Sequence, residues 1–386
     1  MNKNEFLKTI YRTIKQDNLD EFKKLTRNIK LNTFKNKQKE NLLFYALQSA
    51  SVKISQYIIE TSPDLLLERN SFYLTPFSDL IYRDNKKGFN AFLQLSNIKS
   101  LPLGQIYEKG GEVYTLPLLA IEKLNKDNWH IFEDLTKKFW NEKTLSAKDR
   151  SGYNIAHKIA LNNADYAINI LPLLPDDLFS QLDSEMGSTP FLTAVKFSSL
   201  SLIQEILKYS DIKQTTLLGS NAVHLSIFNK DPLVLDFILN ELKDFPETIT
   251  TSNLYGDSSI MSAINDDNFK ALEKLLPYYI NQNKDLSEEI IHFIKTSPKN
   301  FSYFKTFMDK ISPDNLKLLL NNEEYTGFLF SYIFHYGTEQ DIKDMEKSFY
   351  WNSINNIHSP FLNHQLFSSS VLGKKSTIFK IKYLLN

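Results

Sequence analysis

Cysteine is absent from this chain of 386 residues. That excludes a disulfide framework, a thiolate nucleophile and any Cys-ligated metal site, and it fits a reducing, cytoplasmic setting. Charge of one sign is not in excess either, with 45 Lys and Arg against 45 Asp and Glu. A neutral balance argues against non-specific nucleic-acid binding, which needs clustered cations to displace counterions. No apolar run approaches the roughly 18 residues of a membrane span. The first residues, MNKNEFLKTIYRTIKQ, lack the apolar stretch of a secretory signal, so the expected product is soluble. Glycine is scarce, at 11 residues.

Catalytic motifs are missing too. The fragment Val371-Leu-Gly-Lys-Lys-Ser-Thr377 has Ser368 where a phosphate-binding loop needs its first glycine. His358-Ser-Pro-Phe361 is followed by Leu-Asn-His-Gln rather than the Gly-Asn-Gly-Arg that would hold phosphates in a Fic-type nucleotidyl transferase. No His-Glu-x-x-His occurs, and His358 with His364 has no third ligand in view. No residue is assigned to catalysis, to a cofactor or to a metal. A Ser/His/Asp site built from distant segments stays open, because geometry rather than spacing defines one.

What the sequence does contain is repetition. In Met186 to Ser210, MGSTPFLTAVKFSSLSLIQEILKYS, Gly187 suits a tight turn, Thr189 an N-cap and Pro190 the first helical position. Phe191, Leu192, Ala194 and Val195 give the helix that follows an apolar side. Ser198-Ser199 interrupts it, and Leu202, Ile203, Ile206 and Leu207 mark a second helix. The same start recurs at Asn41, Thr75, Leu116, Asn154, Thr189, Asn221 and Ser258, at spacings of 34, 41, 38, 35, 32 and 37 residues. The mean is about 36 residues. Gly152, Gly187, Gly219 and Gly256 keep the turn glycine.

The order Gly-x-Thr-Pro-Phe-Leu-x-Ala resembles the ankyrin repeat, whose signature is Thr-Pro-Leu-His-x-Ala with a period of about 33 residues. The resemblance implies an all-α chain, an ankyrin-repeat solenoid of stacked helix-turn-helix units with short β-hairpin fingers. Residues 1–37, with apolar positions Phe6, Leu7, Ile10, Tyr11 and Ile14 and then Leu19, Phe22 and Leu25, read as a capping helix pair. Residues 38–280 hold about seven recognisable repeats. Residues 281–386 read as degenerate, with expected helices over 286–294, 301–311, 316–320, 328–336, 338–347 and 378–385 and a Ser359-Pro360 start. The long step between Thr75 and Leu116 contains Lys109-Gly110-Gly111 between β-formers, a hairpin signal.

In ankyrin proteins the signature histidine ties adjacent units, so His157 and His224 are expected to be structural, and Asp149, Asp183 and Asp257 to stabilise turns. Partners of such proteins bind at hairpin tips and at the exposed end of the first helix. Those places hold Phe72, Leu74 and Tyr82, Arg150 and Tyr153, then Met186, Lys196 and Phe197. Farther on they hold Leu217, Leu218 and Phe228, then Leu254 and Tyr255. Aromatics, Met and Arg are the types enriched in interface hot spots. The implied function is a non-enzymatic, monomeric scaffold that captures a partner protein. Frequent Asn, Lys, Ile and Phe with little glycine is also the composition of ankyrin effectors that bacteria translocate into host cells, which makes a host protein the expected partner. The alternative is an enzyme, or an immunity- or inhibitor-type regulator, with its active surface in Leu286 to Asn386.

Overall fold

The computed structural model describes residues 3–96, 106–109, 112–137, 140–297, 300–311, 313–338 and 340. The chain divides into two compact units, Met1–Asp211 and Ile212–Asn386. Both are dominated by helix. The expectations placed beyond residue 340, namely most of the 338–347 helix, the Ser359-Pro360 start, the 378–385 helix, and the motif fragments at 358–364 and 371–377, lie outside the described residues.

In the first unit the helices come in packed pairs. Lys3–Lys15 packs with Leu19–Thr26, Leu42–Gln48 with Val52–Thr61, Pro76–Tyr82 with Lys86–Leu93, and Leu116–Lys123 with Lys126–Thr136. Ile155–Leu161 is followed by a 3-10 stretch, Asp165–Leu173, and Pro190–Phe197 by Leu200–Leu207. Pro172 inside that 3-10 stretch has no amide N–H to give to a regular helix. The second unit runs Ala222–Ser226 with Pro232–Glu241, Ser259–Asn265 with Phe269–Asn281, then Ser287–Thr296, Phe301–Lys310, Pro313–Leu320 and Glu323–Tyr336. Strands Ile106–Lys109 and Glu112–Thr115 pair antiparallel, with Lys109 opposite Glu112.

The first helices of the repeats aligned from Asn41 to Ser258 start on a side-chain cap, which satisfies amide groups that have no carbonyl one turn earlier. Asn41 accepts from Leu43 and Phe44, Thr75 from Ser78, Asn154 from His157, Thr189 from Leu192, Asn221 from Val223 and His224, and Ser258 from Met261. One position differs from the expected alignment. The cap before Leu116–Lys123 is Thr115, bonded to the Leu118 amide, and Leu116 is the first helical residue. Leucine has no oxygen to cap with, so the register moves back by one to the nearest hydroxyl.

The link between paired helices has its own recurrent chemistry. Asp17, Asp84 and Asp267 all adopt positive φ, at 47°, 49° and 52°, and each is followed by an asparagine that caps the second helix. Asp and Asn tolerate the left-handed region better than other side chains. Asn85 and Asn268 also reach back one repeat, donating to the carbonyls of Gln48 and Ile227. A two-residue Asp-Asn signature thus ends one helix, starts the next and holds the preceding unit.

Within the first unit the paired helices enclose an apolar core. Phe77 packs on Phe92 at 4.5 Å and on Phe132 at 6.4 Å between ring centroids, and Trp129 sits 5.6 Å from Phe132. All four side chains are almost wholly buried. At about 1.5–3 kcal/mol for each large apolar side chain taken out of water, this stacking rather than any single bond holds neighbouring repeats together.

Candidate interaction surface

The segments before the capped helices form tight turns. The backbone closes 36–40, 70–74, 149–153, 216–220 and 253–257 with the first residue donating to the fifth: Asn36 to Glu40, Asn70 to Leu74, Asp149 to Tyr153, Thr216 to Ser220 and Asn253 to Asp257. At 183–188 the turn is one residue longer, with Asp183 donating to Ser188. The first side chain of each turn accepts amide protons from inside it. Asn70 takes those of Phe72 and Leu74, Asn253 those of Tyr255 and Asp257, and Asp183 those of Glu185, Met186 and Ser188. Adjacent turns are bonded edge to edge, from Ser71 N–H to the Gln38 carbonyl, Ser184 to Ser151, and Leu254 to Leu218, at 2.7–2.9 Å.

Two histidines lock capped helices to the next turn. His157 Nε2 donates to the Ser188 carbonyl at 2.9 Å and its Nδ1 faces the Asn154 N–H, which fixes the tautomer, since a carbonyl oxygen only accepts. His224 Nε2 does the same to the Asp257 carbonyl at 3.2 Å. Burial is the main reason why the His157 pKa is held down to about 4 and that of His224 is lowered. Asn154 and Asn221 extend each tie through their amides to the carbonyls of Leu178 and Thr248. With the imidazoles enclosed, these residues are fasteners.

Near the N-terminus, charge replaces histidine. Asp79, fully buried, accepts from Gln48, Asn70 and Arg83, and Arg83 continues to Glu40, which holds Asn36. This network joins the turns at 36–40 and 70–74 across two repeats. Nothing in the local sequence marks it, because its partners lie up to 43 residues apart.

On this frame the expected surface residues separate. Phe72, Tyr82, Met186, Phe197, Leu217, Leu218, Phe228, Leu254 and Tyr255 are exposed. Met186, Lys196 and Phe197 come together: the half-buried Lys196 ammonium lies 3.9 Å from the Met186 sulfur and 5.1 Å above the Phe197 ring. Burial lowers the pKa of that ammonium. Arg150 is exposed beside Ser151 at the 149–153 tip. Two residues depart from expectation. Tyr153 is only 8% exposed, packed 5.7 Å from the His157 ring, and its hydroxyl donates to Glu185 at 3.0 Å. Burial, then that bond, raise its pKa, so Tyr153 is a strut between turns rather than a docking residue. Leu74 is buried as well, because its amide and carbonyl both close the 70–74 turn and pull the side chain inward. Tyr73, passed over in the sequence, is instead an exposed tip residue.

In the second unit the tips at 216–220 and 253–257 are apolar. Leu217 is 63%, Leu254 76% and Tyr255 73% exposed, with Leu218 beside them. Gly219 makes the close approach possible, for a Cβ there would meet the Leu254 amide nitrogen at 3.2 Å and Leu254 Cγ at 3.3 Å. Residues 214–220 and 250–256 contain no charged side chain. Among the described residues no group of three or more His, Asp or Glu is placed to hold a metal ion, and no described helix is long and apolar enough to cross a membrane. Neither a protein-family model nor a curated protein matches the chain.

Proposed function

We propose that this chain is an ankyrin-type scaffold without enzymatic activity that binds a partner protein through its turn tips and first-helix ends. The observation that carries the reading is the cluster Leu217, Leu218, Leu254 and Tyr255, apolar, uncharged and exposed on two turns joined by a backbone bond. A folded soluble protein gains nothing from leaving large apolar side chains contiguous in water, and such patches mark interaction sites. Support for the family assignment comes from the capped first helices, the turns in front of them and the histidine ties at the Thr-Pro-Leu-His position. Met186 with Phe197, and separately Phe228, supply further anchors of the types found in hot spots. An effector that meets a host protein is the biological setting that this reading favours.

The test uses the intact protein and the double variant Leu254→Ser with Tyr255→Ser as baits for a host-cell extract, followed by affinity measurement on the protein recovered. Both should give the same helical circular dichroism, because neither side chain is core. The variant should bind at least about 30-fold more weakly, the ~2 kcal/mol that defines a hot spot. Equal affinity with a preserved fold overturns the assignment of the tips.

A further inference from the structure

Charge is balanced over the chain but not along it. Residues 22–39 contain Lys23, Lys24, Arg27, Lys30, Lys35, Lys37 and Lys39 and no Asp or Glu, which leaves 38 basic against 45 acidic residues in the rest. All seven side chains are exposed. The run spans the end of Leu19–Thr26, the 3-10 turn Leu31–Thr33 and the tip at 36–40. The segment 52–69, whose helix packs on Leu19–Thr26, adds Lys53 and Arg69 against Glu60, Asp64 and Glu68, and so offsets a single charge.

Local structure accounts for only part of this run. Cations near a helix C-terminus complement its dipole, which fits Lys23, Lys24 and Arg27, and Lys35 pairs with Glu68 at 3.1 Å. Lys30, Lys37 and Lys39 follow the helix and form no ion pair with a described residue. Three of the cations also gather round one ring, because Lys23 lies 5.1 Å over Tyr57 while Arg27 and Lys30 line the recess that Tyr57 lines. Clustered charges of one sign repel each other, and a surface of opposite sign relieves that repulsion.

The composition of the run selects the kind of surface. Six of the seven cations are Lys, a hydrated point charge with no fixed geometry, rather than the Arg that recognises phosphates and nucleic acids bidentately. Phe34 packs against Phe6 and Tyr57 lies under Lys23, so no free ring is offered for stacking bases. Residues 22–39 expose no large apolar side chain either, the anchor that a protein interface is built on. Diffuse attraction to a flat, multiply anionic surface needs none of these features.

We propose that residues 22–39 form a basic face that adsorbs to an anionic lipid bilayer, without insertion of any helix. The proposal does not rest on the partner-protein reading, so either can fail alone. The probe is vesicles of phosphatidylcholine with about 30% phosphatidylserine, compared with pure phosphatidylcholine, and the readout is cosedimentation of the full chain. The chain should pellet with the anionic vesicles at about 0.1 M salt, stay in solution with the neutral ones, and be released at about 0.5 M salt. Lys24→Gln with Arg27→Gln and Lys30→Gln should keep the circular dichroism and weaken binding about 100-fold, at roughly fivefold for each cation held near the leaflet. Lys243→Gln with Lys270→Gln and Lys284→Gln removes the same charge from exposed positions of the second unit and should weaken binding less than about threefold. Equal losses in the two triple variants would make net charge the cause and overturn the proposal. So would pelleting with neutral vesicles, or no pelleting with anionic ones, whether or not a DNA duplex or polyglutamate is bound instead.

Discussion

The turns at 149–153 and 183–188 in the first unit close with the same kinds of bond as those at 216–220 and 253–257 in the second, yet they show water opposite faces. The two first-unit tips at 149–153 and 183–188 carry Arg150, Glu185 and Met186, and Glu185 accepts from both Ser151 and Tyr153, which lowers its pKa. In the second they carry Leu217, Leu218, Leu254 and Tyr255 with no charge among them. Backbone closure, the accepting first side chain and the histidine tie are common to both. What the frame requires is therefore small: an Asx or Thr oxygen, a residue that accepts positive φ and a capped helix behind. Everything else at the tip is free to vary, and a surface free to vary is where recognition can be written.

The largest expected effect tests whether the two histidine ties are equal. His157→Ala removes a fully enclosed ring and one of the two donors to the Ser188 carbonyl, which should cost about 2–4 kcal/mol. His224→Ala, with a bond 0.3 Å longer from 3.2 against 2.9 Å, should cost less, read from urea midpoints. The pH dependence carries the same contrast. Folded His157 holds a pKa of about 4 against an ordinary 6.5, so between those values the unfolded chain binds a proton that the folded chain refuses. Its contribution is intact above pH 6.5 and is lost as pH falls toward 4, by about 3 kcal/mol at 1.36 kcal/mol per unit. His157→Ala should flatten that acid limb; an unchanged limb would place the acid sensitivity elsewhere.

A second contrast lies in the first residues of the turns. Asp183 accepts three amide protons, and Thr216 only that of Ser220. Asp183→Ala should lower stability by about 2 kcal/mol and Thr216→Ala by about 0.5–1 kcal/mol, in proportion to the donors left unmet. Equal losses would mean that water enters and replaces the buried carboxylate.

Much of this frame was legible because capping is local chemistry. Thr75, Asn154, Thr189, Asn221 and Ser258 announce their helices through side chains that act within three residues. Thr115 was misplaced by one because Pro117 sits one residue later than the Thr-Pro pattern allows. Tyr153 could not be read as buried, since its partner Glu185 is 32 residues away, and the Glu40–Arg83–Asp79 network was hidden for the same reason. The Asp-Asn links were visible in the sequence at 17–18, 84–85 and 267–268, but their meaning depends on the positive φ that the structure supplies.

The smallest effect concerns the two turns that the glycine pattern did not reveal. Where other turns place Gly152, Gly219 and Gly256 at φ of 75°, 78° and 84°, the turns at 36–40 and 70–74 place Lys39 at 61° and Tyr73 at 63°. A side chain in that region costs about 1–2 kcal/mol relative to the right-handed one. Glycine removes the strain but loosens the unfolded chain, which takes back roughly 0.4–1 kcal/mol. Lys39→Gly should therefore stabilise by about 0.5 kcal/mol, a rise of the order of 1 °C in melting temperature for a chain this long. Tyr73→Gly gains the same relief and loses whatever its half-exposed ring contributes to packing, so its net effect should be smaller or reversed. If both variants were destabilised by 1 kcal/mol or more, the side chains at these tips would be holding the turns closed, and the first-unit tips would belong to the frame rather than to its variable surface.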